Sequence, residues 1–286
     1  MKVLVTGATG QLGCDIVREG QKQGLEIIGV GTSDFDITNE AQVHGYMDII
    51  KPDIVIHCAA YTNVDKAEKD KETCGKVNVQ GTRHIVEAAK KHHATLLYVS
   101  TDYVFDGKKL GPYTACDETC PINVYGQTKL AGEEIVKHTL ERWFIVRVSW
   151  LYGFHGNNFV HAMARLGQAK DTLHVVDDQI GTPTYTVDVA KVMIQLIQTS
   201  HFGIYHLTNA GYCTWFEFAQ EIFMQLDMRH VHVQPISARE FASPAQRPSN
   251  SRMDCGKLIE CGIAPLRHWK DALEEYVMEN NIKKTL

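Results

Sequence analysis

The sequence contains no long hydrophobic run. None of its apolar stretches approaches the ~20 residues needed to cross a bilayer, so no membrane partner is expected. Positive charge is not in excess either: 29 lysines and arginines face 34 aspartates and glutamates, for a net charge of -5. That balance removes the basic footprint by which a chain holds nucleic acid. Eight cysteines are scattered from Cys14 to Cys261 without a C-x-x-C pair. Cys116 and Cys120 lie near each other, but no second cysteine or histidine pair stands at finger spacing, so no zinc site is expected. Unpaired thiols of this kind suit a reducing cytoplasm. The opening MKVLVTGATG turns glycine-rich at once and lacks a signal-peptide cleavage pattern, so it reads as a first strand.

What is present is alternation. Apolar, β-rich runs at 2–7, 26–31, 53–60, 95–102 and 143–150 are separated by helical stretches at 10–24, 40–51, 74–92 and 121–140. Strands alternating with helices at this spacing predict a parallel sheet covered on both faces, and continuous apolar strands agree with burial on both sides. After Trp150 the rhythm loosens. Helices near 157–169, 187–199, 214–226 and 268–280 mix with short strands at 173–176 and 203–207, and 243–253 is a polar loop. The expected fold is an α/β Rossmann-type doubly wound sheet with a smaller mixed α/β substrate lobe. Residues 1–150 would form the dinucleotide domain, with about 187–207 returning to it. Residues 151–186 and 208–286 would form the lobe.

TGATGQLG (6–13) sets Gly7, Gly10 and Gly13 between the first strand and the first helix. A tight turn, a close backbone approach to a pyrophosphate and a helix N-terminus facing the anion all need such residues there. The second strand ends GVGTSDFD, with Gly31 where a ribose-binding acid often stands, followed by Thr32 and Ser33. No carboxylate there rejects a 2′-phosphate and no arginine selects one, so NADPH or NADH is expected. Asp36 has two readings, a place near the adenine or a turn-capping role.

VYGQTK (124–129) places Tyr125 one helical turn before Lys129. Pro121 suits the first turn of that helix. A phenol beside an ammonium can serve as a general acid, because the positive charge favours the phenolate and lowers a pKa that is otherwise near 10. The strand before it ends in Ser100 and Thr101, two hydroxyls where an open α/β sheet binds its ligands. Asp65 and Glu68 read as a solvated helix start rather than as an acid/base pair.

The glycine spacing, the strand-end hydroxyl and Tyr-x-x-x-Lys together resemble the extended branch of the short-chain dehydrogenase/reductase superfamily. The ordered segments GQLG, DFDIT, HCAAYTNVDKAE, VNVQGT, STDYVFDG, YGQTKLAGE, RVSWLYG, NNFV, DDQIGTPT and RPSNSRMD resemble the dTDP-4-dehydrorhamnose reductase family over nearly the whole chain. The resemblance implies NAD(P)H-dependent reduction of the C4 ketone of a dTDP-sugar. Thr101, favoured over Ser100, would orient the carbonyl, Tyr125 would donate the proton, and Lys129 would support it and reach the nicotinamide ribose. It implies Gly7, Gly10, Gln11, Leu12, Gly13, Thr32, Asp36, Ile37, Ala59, Ala60, Tyr61 and Asn78 as cofactor contacts. Asn78 has a second reading, a buried polar group satisfied by backbone. On the sugar-nucleotide side it implies Thr62, Val64, Asp102, Tyr103, Trp150, Asn158, Gln179, Thr182, Pro183, Arg247 and Asn250. Trp150 would pack on the sugar ring or fill the sheet end, and Arg247 would meet the diphosphate or stay solvated. Some family members share Mg2+ at a dimer interface. Asp15 matches one ligand position, but Val187 stands beside Asp188 near the second, so no metal and a monomer or weak homodimer are expected. Other readings are a reductase of a different dTDP-4-keto-6-deoxysugar, an NAD-retaining epimerase, and a non-catalytic regulatory subunit.

Overall fold

The protein is described by a computed structural model covering residues 1–279. Its centre is a six-stranded parallel sheet. The chain runs β1 (Lys2–Thr6), α1 (Gln11–Lys22), β2 (Glu26–Val30), α2 (Glu40–Ile50), β3 (Ile54–His57), α3 (Val64–Lys69) and α4 (Lys71–Gly75). A π-helical turn (Lys76–Gly81) joins α4 to α5 (Thr82–Lys91), followed by β4 (Thr95–Thr101), α6 (Val124–Thr139) and β5 (Trp143–Val148). The remainder is β6 (Leu151–Tyr152), α7 (Phe159–Ala169), β7 (Thr172–Val176), β8 (Ile180–Gly181), β9 (Thr184–Tyr185), α8 (Thr186–Leu196) and β10 (Gly203–His206). Then come β11 (Cys213–Thr214), α9 (Trp215–Gln225), β12 (His232–Ile236), α10 (Ala238–Phe241), α11 (Lys257–Glu260) and α12 (Trp269–Glu279). The final helix expected to residue 280, and the lobe to 286, run past the described residues.

Strand order is β10-β5-β4-β3-β1-β2, so the direction of winding reverses between β1 and β3. Successive strand residues point to opposite faces, and the two cores divide accordingly. Val3, Val5, Ile54, Ile56 and Leu97 pack with α1 and α8 on one face. Leu4, Val55, Leu96 and Tyr98 pack with α2 and α5 on the other. A third core, rich in aromatics such as Tyr152, Tyr185, Phe218, Trp269 and Tyr276, sits under α7, α9 and α12. Two-stranded pairs knit that region: β7 with β12 and β6 with β9 in parallel, β8 with β11 antiparallel.

Among the boundaries that differ from expectation, two beside the cavity have local reasons. Strand β3 stops at His57, because the chain from Cys58 leaves the sheet to form a cavity wall. Helix α6 starts at Val124, not near Pro121. Asn123 is its N-cap, and the Asn123 side chain accepts from Gly126 N at 2.8 Å, which supplies the terminus a partner that proline lacks.

Candidate active site

The winding reversal places the loops after β1 and β3 face to face. Gly7 has φ of +68°, and a Cβ there would stand 2.7 Å from Ala59 N. At Gly13 a Cβ would stand 2.3 Å from the Gly7 carbonyl oxygen. Only glycine fits either position, so the loop folds down onto the start of α1 and leaves the helix N-terminus facing a cavity of about 670 Å³. Gly10, Gln11 and Leu12 line it with Thr32, Asp36 and Ile37 at one end and Ala59, Ala60, Thr62 and Val64 along one side. Gly31 also lines it, and the nearby Asp34 carboxylate is taken by Gly31 N at 2.7 Å. Asp36 accepts from Thr38 N and Thr38 Oγ1 at 2.8 and 2.9 Å, so its carboxylate holds a turn at the cavity edge.

The far end of the same cavity is walled by Thr101, Asp102, Tyr103, Tyr125, Lys129 and Trp150. Strand β4 and helix α6 are packed neighbours, which is how a strand-end hydroxyl meets a phenol in the first turn of the next helix. Ser100 and Thr101 take different roles. The Ser100 hydroxyl donates to Glu133 Oε1 at 2.5 Å, and that carboxylate also accepts from Arg147 Nε and Nη2 at 2.9 and 2.7 Å. Both ends of this ion pair are buried, so the Ser100 hydroxyl is engaged by Glu133 even though the residue lines the cavity. Thr101 lies against the Tyr125 phenol and favours its ionised form, but burial is the larger effect and pushes the phenol pKa up, with Asp102 adding to it. The Lys129 ammonium sits over the Tyr98 ring, 4.0 Å from its centroid. Burial lowers the Lys129 pKa from 10.5 to about 7, opposed chiefly by Glu133. The expected depression of the Tyr125 pKa is therefore not what this geometry delivers, since desolvation and the Asp102 carboxylate outweigh the Thr101 hydroxyl. Asp102 accepts from Thr101 Oγ1 at 3.0 Å, while its Oδ2 is buried without a hydrogen bond, and burial raises its pKa to about 6.

These residues fit a dinucleotide on three grounds: the glycine cradle that a Cβ would fill, the helix terminus above it, and the buried hydroxyl and amine with the half-buried phenol at its end. Comparison with known proteins agrees. The RmlD substrate binding domain family matches residues 1–282. The chain belongs to that family. It is 40% identical to the dTDP-4-dehydrorhamnose reductase of Aggregatibacter actinomycetemcomitans, over 96% of this chain and 97% of the relative. It is 38% identical to a dTDP-4-keto-6-deoxy-D-glucose reductase of Streptomyces niveus, over 95% of each. The crystal structure of dTDP-4-dehydrorhamnose reductase from Bacillus anthracis in complex with NADP superposes with a TM-score of 0.94 at 43% identity, covering 98% of this chain and 100% of that one.

Other residues singled out in the sequence stand elsewhere. Asn78, in the π-helical turn, lies behind the cavity: it accepts from Tyr61 N at 2.8 Å and donates to Tyr61 O at 3.1 Å and Thr128 Oγ1 at 3.0 Å. It ties the loop after β3 to α6, while the Tyr61 ring packs with Ala67, Cys74 and Val124. Gln179 and Arg247 line a second cavity, of about 790 Å³, with Phe159, Met163, Trp215 and Phe241. Asn158, Thr182, Pro183 and Asn250 line neither cavity. Asn158 caps α7 and donates to Gln11 Oε1 at 3.2 Å and Gly153 O at 2.7 Å. Thr182 donates to Gly211 O at 3.0 Å, and Asn250 donates to Lys109 O and Gly111 O at 2.6 and 2.9 Å. Pro183 is buried between β8 and β9. Asp65 stands in the first turn of α3, as the helix-start reading expects, but neither it nor Glu68 is left to solvent alone. Asp65 Oδ2 accepts from Arg247 Nη2 at 2.8 Å, and Glu68 accepts from Val124 N at 2.8 Å. Trp215, which lines both cavities, was missed; its signal is the Thr214–Glu217 capping box that starts α9 on an aromatic.

Proposed function

We propose that this chain is an NAD(P)H-dependent oxidoreductase that reduces the C4 ketone of dTDP-4-dehydro-β-L-rhamnose to give dTDP-L-rhamnose. The observation that supports it is that one cavity is lined by the glycine cradle at one end and by Thr101, Tyr125 and Lys129 at the other. A bound nicotinamide supplies the hydride that C4 receives. Tyr125 holds the proton that the C4 oxygen needs, and burial keeps that phenol protonated until the oxygen becomes basic. The Thr101 hydroxyl orients the carbonyl oxygen beside the phenol. The Lys129 ammonium stabilises the phenolate left behind. Residues 1–150 with about 187–207 carry the cofactor; 151–186 and 208 onward carry the sugar nucleotide. The second cavity takes the nucleotide end, where Arg247, braced by Asp65, meets the diphosphate.

The reading needs no divalent metal. Asp15 accepts from Thr186 Oγ1 and pairs with Arg18 at 3.0 Å, and Asp188 is gripped by Arg267 at 2.8 and 2.9 Å. We propose a monomer or weak homodimer. Eight free cysteines fit a reducing cytoplasm, and no helix among the described residues is long and apolar enough to cross a membrane. The test is loss of NADPH or NADH absorbance with dTDP-4-dehydro-β-L-rhamnose and with dTDP-4-keto-6-deoxy-D-glucose. Faster turnover of the first supports the reading. Faster turnover of the second favours the alternative sugar, which the Streptomyces niveus relative motivates. Product without net cofactor oxidation would mean an epimerase, and no reaction at all would refute a reductase.

A further inference from the structure

Trp150 is the first residue beyond β5 to turn away from the sheet, and it does so with φ of +46°. A bulky side chain rarely adopts that conformation, and it persists only where the surroundings fix it. The surroundings here are two walls. One is Gly181 of β8, where a Cβ would stand 2.6 Å from Trp150 Cε2 and 2.7 Å from Cζ2. The other is Trp215, whose ring stacks on Trp150 at 3.6 Å between centroids and 14° between planes. The walls are joined through a strand pair: β8 pairs with β11, Gly181 opposite Cys213 and Ile180 opposite Thr214, and Trp215 follows β11 directly as the first residue of α9. Phe159 braces Trp215 from behind at 4.6 Å. Trp150 lines the cavity of Thr101 and Tyr125, whereas Trp215 lines that cavity and the second one.

We infer that Gly181 and Trp215 form a slot that holds the Trp150 indole as the sugar-facing wall. Trp215 is thereby a positioning residue for the sugar nucleotide at the junction of the two cavities. The slot needs a flat aromatic at 215 and the absence of a side chain at 181. It acts on the substrate's sugar end and leaves the glycine cradle untouched. The kinetic half of this inference rests on the proposed reductase activity. The geometric half does not.

Two stacked indoles couple their electronic transitions and give an exciton couplet in circular dichroism. The full-length protein is therefore expected to show a couplet. Trp215→Phe abolishes it but keeps an aromatic wall, so KM for the sugar nucleotide stays within about twofold. Trp215→Ala abolishes it and raises that KM about tenfold or more, with kcat and NADPH affinity changed less than about threefold, as expected when a wall is misplaced beside an intact reaction centre. Gly181→Ala keeps both tryptophans, yet the added methyl would overlap the Trp150 indole, so it displaces that ring from its stack and alters the couplet. A wild-type protein without a couplet, or Gly181→Ala with the wild-type couplet, would overturn the slot. Trp215→Ala with unchanged KM, or with NADPH affinity weakened as much as KM, would overturn the positioning role. A couplet that behaves as expected in a protein that oxidises no NADPH would refute the reductase reading and the positioning role resting on it, and would leave the slot standing.

Discussion

The two cavities are built from different kinds of sequence. The first is walled chiefly by a series of short local motifs: three glycines in seven positions, two strand-end residues, and a phenol and amine one helical turn apart. The second is walled by α7, β7, the start of α9 and the 238–247 segment, which only tertiary packing brings together. Its one assigned cation, Arg247, is held by a carboxylate 182 positions earlier. Chemistry that depends on fixed local geometry is written in short motifs. Recognition of a large, flexible nucleotide is written in long-range packing.

That contrast can be broken at either cavity. The largest effect is expected from Gly13→Ala. The new methyl would meet the Gly7 carbonyl oxygen, and with an overpacking cost of roughly 1–3 kcal/mol at the cradle, NADPH affinity should fall up to about 100-fold. Affinity for dTDP, measured by calorimetry, should hardly change. Loss of both affinities together would show that the cavities are not separable. Arg247→Ala is the reciprocal case. Removing a charged hydrogen-bonding group at about 1.5–3 kcal/mol should weaken dTDP binding roughly 10- to 100-fold and leave NADPH binding alone. If NADPH weakens equally, Arg247 serves the fold and not the nucleotide.

Lys129 sharpens the comparison on the stability side. Its folded pKa, about 7, lies below the ordinary 10.5, so between those values the unfolded chain holds more protons. Stability should rise with pH across that window, and the cost of the buried charge is fully present below it. Lys129→Met should therefore be inactive yet melt a few degrees higher near neutral pH, and it should lose this part of the pH dependence. Parallel melting curves against pH for the two proteins would contradict the burial argument. The smallest effect is expected from EDTA. With Asp15 and Asp188 already engaged by Arg18, Thr186 and Arg267, turnover should be unchanged, and a marked loss would restore a metal to the account.

The same contrast explains what was legible in the sequence. The alternating strands and helices of the parallel sheet and the glycine loop follow from periodicity and spacing, because each depends on neighbours a few residues apart. The split between Ser100 and Thr101 did not follow from the residues alone. It is set by Glu133, which pairs with buried Arg147 and takes the Ser100 hydroxyl, and breaking such a pair costs about 3–5 kcal/mol. Asn158, Thr182 and Asn250 are polar residues in loops beside the site, but their side chains bind backbone carbonyls up to 141 positions away. Nothing local distinguishes a loop amide that meets a ligand from one that closes a turn. Trp215 was hidden for the complementary reason, since an aromatic in an amphipathic helix reads as core until its stacking partner is known.

The central claim is that the Tyr125 phenol delivers the proton to the C4 oxygen from a cavity whose cofactor end does not depend on it. Tyr125→Phe tests it in one preparation, with kcat on dTDP-4-dehydro-β-L-rhamnose and NADPH affinity measured side by side. The account gives a fall in kcat of about 10²- to 10⁴-fold, typical for loss of a general acid, with NADPH affinity nearly unchanged. A variant that turns over at the parent rate would contradict it.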